Sequence, residues 1–220
     1  MAPSVTSYQI TITVSNDTLA ALTSGGFSLC ALKATATTAG GGQPLFWLVT
    51  KQFATTMSLE WTSACAVATI QFQQNVTIVA SAEIDYGEVL TLPAGTISGG
   101  GLPDAMSMLN SSSTQYTSGL CSASGGIYSP AAAIPLYGNM MNAFAPVEHV
   151  LLMFTTYPAR QGEPILRAYA QGLFVDLTSA PSRAVSFDIN DGWSWGDAPW
   201  ARTVPPNTLL TPLLIQMTAL

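Results

Sequence analysis

Charge is what this sequence has least of. Charged residues make up 8% of its 220 residues, against about 25% in ordinary soluble proteins. The six basic residues stand singly at Lys33, Lys51, Arg160, Arg167, Arg183 and Arg202. A nucleic-acid surface needs clustered Lys and Arg to displace phosphate counterions, so nucleic acid is excluded as the expected partner. With twelve acidic residues the formal charge is −6, which also disfavours attraction to anionic lipid.

Histidine is nearly absent as well. His149 is the only one, so a multi-histidine metal centre cannot form and any Ser-His-Asp or Cys-His site must use it. Glu148 beside it points to the opposite face of an extended strand, so the two are not a dyad. There is no G-x-S-x-G elbow, P-loop or G-x-G-x-x-G motif. The glycine triplets at 40–42 and 99–101 lack the strand-to-helix setting that a phosphate loop needs. Enzymatic activity is not expected. Cys30, Cys65 and Cys121 are odd in number and fit no CxxC pattern, which suits reduced, buried thiols. The N-terminus carries no signal-peptide pattern, and no stretch reaches the ~20 apolar residues of a spanning helix. A cytoplasmic location is the expectation, although sequons stand at Asn16, Asn75 and Asn110 and a mature secreted form is an alternative.

What is present is β-forming. Hydrophobic residues make up 48%, with Ser and Thr supplying most of the polarity. Residues 8–14 alternate Tyr8, Ile10, Ile12 and Val14 against Gln9, Thr11 and Thr13, as a half-buried strand requires. Segment 53–61 alternates more sharply still. Further strands are expected at 27–34, 45–50, 64–72, 76–82, 89–92, 147–155, 165–177, 183–189 and 209–218, with one helical turn at 18–22. That is roughly ten or eleven strands. The expectation is one domain over 1–220, an all-β antiparallel sandwich of about ten strands with long apolar loops. Region 98–146, broken by glycine, serine and proline, reads as a long apolar loop that must fold back onto something.

Two irregular segments point to ligand binding. Trp193, Trp195 and Trp200 fall within eight residues of a Gly- and Pro-containing loop, and tryptophan offers a large rigid face with one N–H donor. Capping of the sandwich by these rings is the plainer alternative. Met140, Met141 and Phe144 lie in the other segment, where methionine suits an irregular apolar guest or ordinary core filling. Together they suggest a non-enzymatic protein holding a hydrophobic small molecule. Met140, Met141, Phe144, Trp193, Trp195 and Trp200 would be its walls, and Arg202 or His149 would anchor an acidic head group. The alternative is a lectin or lipid-headgroup binder that stacks the same tryptophans on a glycan or membrane surface. A capsid-like structural protein is a third reading. Asp188, Asn190 and Asp191 form an Asx-rich turn that would also suit a divalent cation, though Gly192 and Pro199 break the EF-hand pattern.

The run from Tyr8 to Val14, the Gly26-Phe-Ser-Leu-Cys-Ala-Leu-Lys33 strand and the ending around Asp191-Gly-Trp193 resemble small fungal fruit-body β-sandwich proteins. Their layout is similar to the actinoporin-like group, with its membrane-binding cytolysins and lectin-like members. Length, acidity and loops also resemble a fruit-body chromoprotein, which implies a non-covalently held polyene acid pigment as the cofactor. The amphipathic N-terminal helix of the cytolysins has no counterpart here, because residues 8–14 alternate as a strand. Oligomeric state is not indicated.

Overall fold

Alternation builds the first strand as anticipated: β1 (Ser7–Thr13) buries Ile10 and Ile12 completely. Ser15 then caps α1 (Asn16–Ser24), its hydroxyl accepting from the Thr18 N–H at 3.1 Å, with Asp17 in the first turn. Both contacts favour a helix start, and they extend the expected single turn to nine residues. In this computed structural model residues 5–72 and 76–218 are described, so the sequon at Asn75 lies outside the described residues. The second strand, β2 (Ser28–Thr37), is buried at every position. A strand covered on both faces has no reason to alternate.

The chain continues through β3 (Gln43–Pro44), β4 (Leu48–Thr50), β5 (Thr56–Thr62), β6 (Cys65–Phe72), β7 (Val76–Glu83) and β8 (Glu88–Leu92). Next come β9 (Thr96–Gly99), β10 (Met106–Asn110), β11 (Tyr116–Ser124), β12 (Ile127–Pro130), β13 (Ala132–Leu136) and the long β14 (Met141–Thr155). It ends with β15 (Gly172–Asp176), β16 (Ser182–Asp188), β17 (Gly192–Ser194), β18 (Ala201–Val204), a short helix α2 (Thr211–Leu214) and β19 (Ile215–Met217). The all-β class holds, but the strand number is larger than expected: nineteen among the described residues.

They form three sheets. The first has the order β17-β16-β1-β5, with β1 and β16 parallel. The second runs β18-β15-β14-β10-β8-β9, and β2 pairs along β14 while also carrying β4 and β19. The third runs β3-β13-β11-β6-β7, with β12 on β11. The β2–β14 ladder is the spine. Its alternate residues serve different cores: Leu29, Ala31, Val150 and Leu152 face the first sheet, while Cys30, Leu32, Leu151 and Met153 face outward under Ile165, Leu210 and Leu214. Farther along, Phe144 joins Leu90, Met108, Leu120 and Ile134 in a separate core against the third sheet.

Three expectations are corrected. Region 98–146 is not a structureless loop; it forms β10 to β13 and the start of β14, mostly buried. Residues 165–171 are irregular, held by an isolated Arg167–Leu209 bridge and by backbone hydrogen bonds to Pro44, Asn207, Thr208 and Leu210, and the strand begins only at Gly172. There a side chain would strike Leu151 and the Leu152 carbonyl. The final segment is partly helical because Pro212 sits in the first turn of α2, where its missing N–H costs nothing. No helix among the described residues is long and apolar enough to cross a membrane.

Candidate functional site

The inward positions of β2 run Leu29, Ala31, Lys33, Thr35 and Thr37. The first two lie in the core under the first sheet, and Thr37 pairs with Phe144 of the core under the third. Lys33 falls at the junction between them, and its side chain is 2% exposed. Its ammonium donates to Ser122 Oγ on β11 at 3.1 Å and lies 3.6 Å from Glu148 Oε2 on β14. It also sits over two indoles, 5.1 Å from the Trp61 ring and 5.6 Å from the Trp47 ring. Those are the contacts a cation needs when water is withdrawn from it. Burial pushes the Lys33 amine below the ordinary lysine range, and the Glu148 carboxylate opposes that shift only in part.

The junction is satisfied around the lysine as well. Trp61 Nε1 donates to Glu148 Oε2 at 3.2 Å, and Trp47 Nε1 donates to the Ser122 carbonyl at 3.3 Å. The two indoles meet edge to face at 5.6 Å. Glu148 faces inward on the same side of β14 as Val150 and Leu152, as strand alternation dictates, and His149 points the other way, as the sequence indicated. The β2–β14 register shifts between Val147 and Val150.

Tyr8 carries the junction to the surface. Its ring stacks on Trp61 at 5.6 Å with a 15° interplanar angle, and burial followed by the Glu148 charge pushes its phenol above the usual range. Tyr8 and Trp61 form the aromatic side of a cleft of about 610 Å³, lined also by Gln9, Glu60, Pro181 and the Gly125-Gly126 turn. The Gln9 amide donates to Ser58 at 2.9 Å and to Glu60 Oε1 at 3.0 Å, which fixes that carboxylate on the rim. Gly125 and Gly126, at φ +57 and +79, make the tight turn between β11 and β12 and leave open space where side chains would stand. Behind the same junction a second cleft, about 490 Å³, is lined by Cys65, Glu83, Asp85, Tyr86 and Tyr128.

The residues singled out from the sequence lie elsewhere, in separate places. Trp193 is in the first core, stacked on Phe154 at 5.4 Å. Trp195 is half-buried and donates to the Ala198 carbonyl at 3.0 Å; Trp200 is half-buried with the Arg183 guanidinium 4.9 Å from its ring. Phe144 is fully buried, whereas Met140 and Met141 are exposed. His149 and Arg202 share a neighbour, each lying 5.0 Å from the Phe174 ring on the outer face of the second sheet. His149 Nε2 is there 3.5 Å from Asp176 Oδ1. None of these side chains lines the two clefts at the junction.

Asp188 closes its own turn. Its Oδ1 accepts from the Asn190 and Asp191 N–H groups, its Oδ2 from the Thr18 hydroxyl, and these bonds hold the carboxyl below its ordinary range. Among the described residues no group of three or more His, Cys, Asp or Glu is placed to hold a metal ion. Asn110 is fully buried and its amide donates to the Thr114 and Tyr137 carbonyls, so it is no glycan acceptor in the folded chain.

The junction was missed because its members are far apart in sequence. One signal was present: Lys33 is the one charged residue in the strand-forming run Ser28–Thr37, at a position whose neighbours two residues either way point inward. Comparison with protein-family models, with curated proteins and with solved structures finds no match.

Proposed function

We propose that this chain is a non-enzymatic binding protein, and that its ligand lies in the cleft over Tyr8 and Trp61. The stacked pair of rings supports the reading most. An aromatic wall held rigid from behind by a buried ion pair presents a flat apolar face at little entropic cost. The cleft is chiefly apolar, with Glu60, Gln9 and Ser182 at its edge, the composition usual for small-molecule sites. The ligand this chemistry takes is a flat, largely apolar molecule with a hydrogen-bond donor directed at Glu60. A conjugated pigment such as a polyene is one such molecule, now assigned to this cleft instead of the tryptophan loop.

A saccharide is the second reading. The cleft is open at the surface and combines an aromatic ring with a carboxylate, an amide and hydroxyls, the set that hydroxylated rings require.

Titration of tryptophan fluorescence separates the possibilities. A flat, uncharged apolar probe such as Nile red and a panel of free oligosaccharides would be added to wild-type and Tyr8→Ala protein. Saturable quenching by the probe, weakened about tenfold or more in Tyr8→Ala with an unchanged circular-dichroism spectrum, is the expected result, since loss of an aromatic contact costs on the order of 1.4 kcal/mol or more. Saturation by an oligosaccharide alone would favour the second reading. Equal response of both proteins to every ligand would remove the cleft from consideration.

A further inference from the structure

The thiol of Cys65 and the amine of Lys33 share one hydrogen-bond partner. Ser122 Oγ is 3.1 Å from Lys33 Nζ and 3.8 Å from Cys65 Sγ, so the two groups converge on a single hydroxyl between β2, β6 and β11. They differ in access. Lys33 is sealed, but Cys65 keeps 8% of its surface and lines the second cleft beside Tyr86 and Tyr128. Cys30 and Cys121 are wholly buried. We propose that Cys65 and Lys33 are the two ends of an oxidant-formed cross-link, a sulfenamide bond from Sγ to Nζ that ties β6 to β2.

The chemistry balances with hydrogen peroxide as the oxidant. Cys65 attacks one peroxide oxygen; the O–O bond breaks, the sulfur becomes a sulfenic acid, and one water leaves. A sulfenic acid condenses with a nearby nitrogen or thiol when one is within reach. Lys33 first gives a proton to the Glu148 carboxylate, 3.6 Å away. The freed amine then attacks sulfur, the S–O bond breaks, and the departing hydroxide takes the second amine proton to leave as water. Thiol and amine together have lost two hydrogens, and peroxide has become two waters. Burial lowers the Lys33 proton affinity, which favours the neutral amine this step consumes. Burial raises all three thiols, Cys30 and Cys121 to about 12, but only at Cys65 do the Lys33 charge and the Ser122 hydrogen bond oppose the rise, and of the three only Cys65 lines a cleft that can admit peroxide.

The test is peptide mapping of the full chain after exposure to dilute hydrogen peroxide and alkylation of remaining thiols under denaturing conditions. The expected product joins the Cys65 and Lys33 peptides at their summed mass less two hydrogens, disappears on thiol reduction, and forms at neither Cys30 nor Cys121. Recovery of Cys65 as free thiol, or as sulfinic or sulfonic acid with Lys33 unmodified, would overturn the proposal. Because wild-type protein gives the answer, it does not depend on a Lys33 variant folding, nor on any ligand in the Tyr8 cleft.

Discussion

A lysine at position 33 has to be compensated wherever the chain places it. Withdrawing an ammonium from water costs several kcal/mol even after relaxation. Here Glu148, Ser122 and two indole faces return that cost together. Glu148 in turn is 14% exposed and has Trp61 Nε1 as its other donor. Lys33→Met would therefore do more than delete a contact, because it leaves a carboxylate largely buried without a cation. We expect a loss of about 3–5 kcal/mol of unfolding free energy, the usual cost of breaking such a pair from one side. The Lys33→Met/Glu148→Leu double variant should regain most of it, as apolar replacements of buried pairs often do. Urea denaturation of both variants checks this, and a double variant no more stable than Lys33→Met would contradict it.

At the scale of elements, legibility followed burial. Strand β1 and strand β5 each bury one face, and their alternation was plain from Ile10 and Ile12 and from Met57, Leu59 and Trp61. Strands β10, β11 and β13 are covered on both faces, so they carry no period to read. Strands β11 and β13 are also rich in small residues: Ser118, Gly119 and Ser122 on β11, and Ala132 and Ala133 on β13. Such residues read as loop in one dimension. In three dimensions they let sheets and neighbouring strands approach closely. Gly119 is the tightest case, because a methyl there would run into the Ala132 carbonyl oxygen and Ile70 Cδ1. Gly119→Ala should destabilise the fold by roughly 1–3 kcal/mol through overpacking, since backbone must move to admit it. Gly126→Ala meets no neighbouring atom and would strain only its positive φ. A lower thermal midpoint for Gly119→Ala than for Gly126→Ala is the measurement that checks the assignment. In the tryptophan-rich segment glycine and proline signalled a loop, but short pairings through β17 and β18 turn Trp193 into the first core, the plainer of the two readings, where its area is worth more than at the surface.

Over the whole molecule, the β2–β14 ladder decides how the parts depend on one another. Ten residue pairs join the two strands, and their side chains enter the three largest cores: Leu152 the one under the first sheet, Phe144 the one under the third sheet, Leu151 the outer one. Neither strand can leave its place without opening those three at once. The three sheets should therefore unfold as a single unit despite their different partners. Leu152→Ala and Leu151→Ala give a direct check, because they are adjacent in sequence yet empty space into opposite layers. Each should cost about 2–5 kcal/mol, the range for a fully buried leucine. Tryptophan fluorescence, which reports mainly on the first core through Trp47, Trp61 and Trp193, should shift to the same midpoint as far-UV circular dichroism in both variants. If Leu151→Ala moved the circular-dichroism transition but left the fluorescence transition in place, the layers would be separable. The aromatic wall behind Tyr8 would then depend on the first sheet alone. Coincident midpoints would mean that the junction at Lys33 is held from every side, which is what keeps Tyr8 and Trp61 stacked.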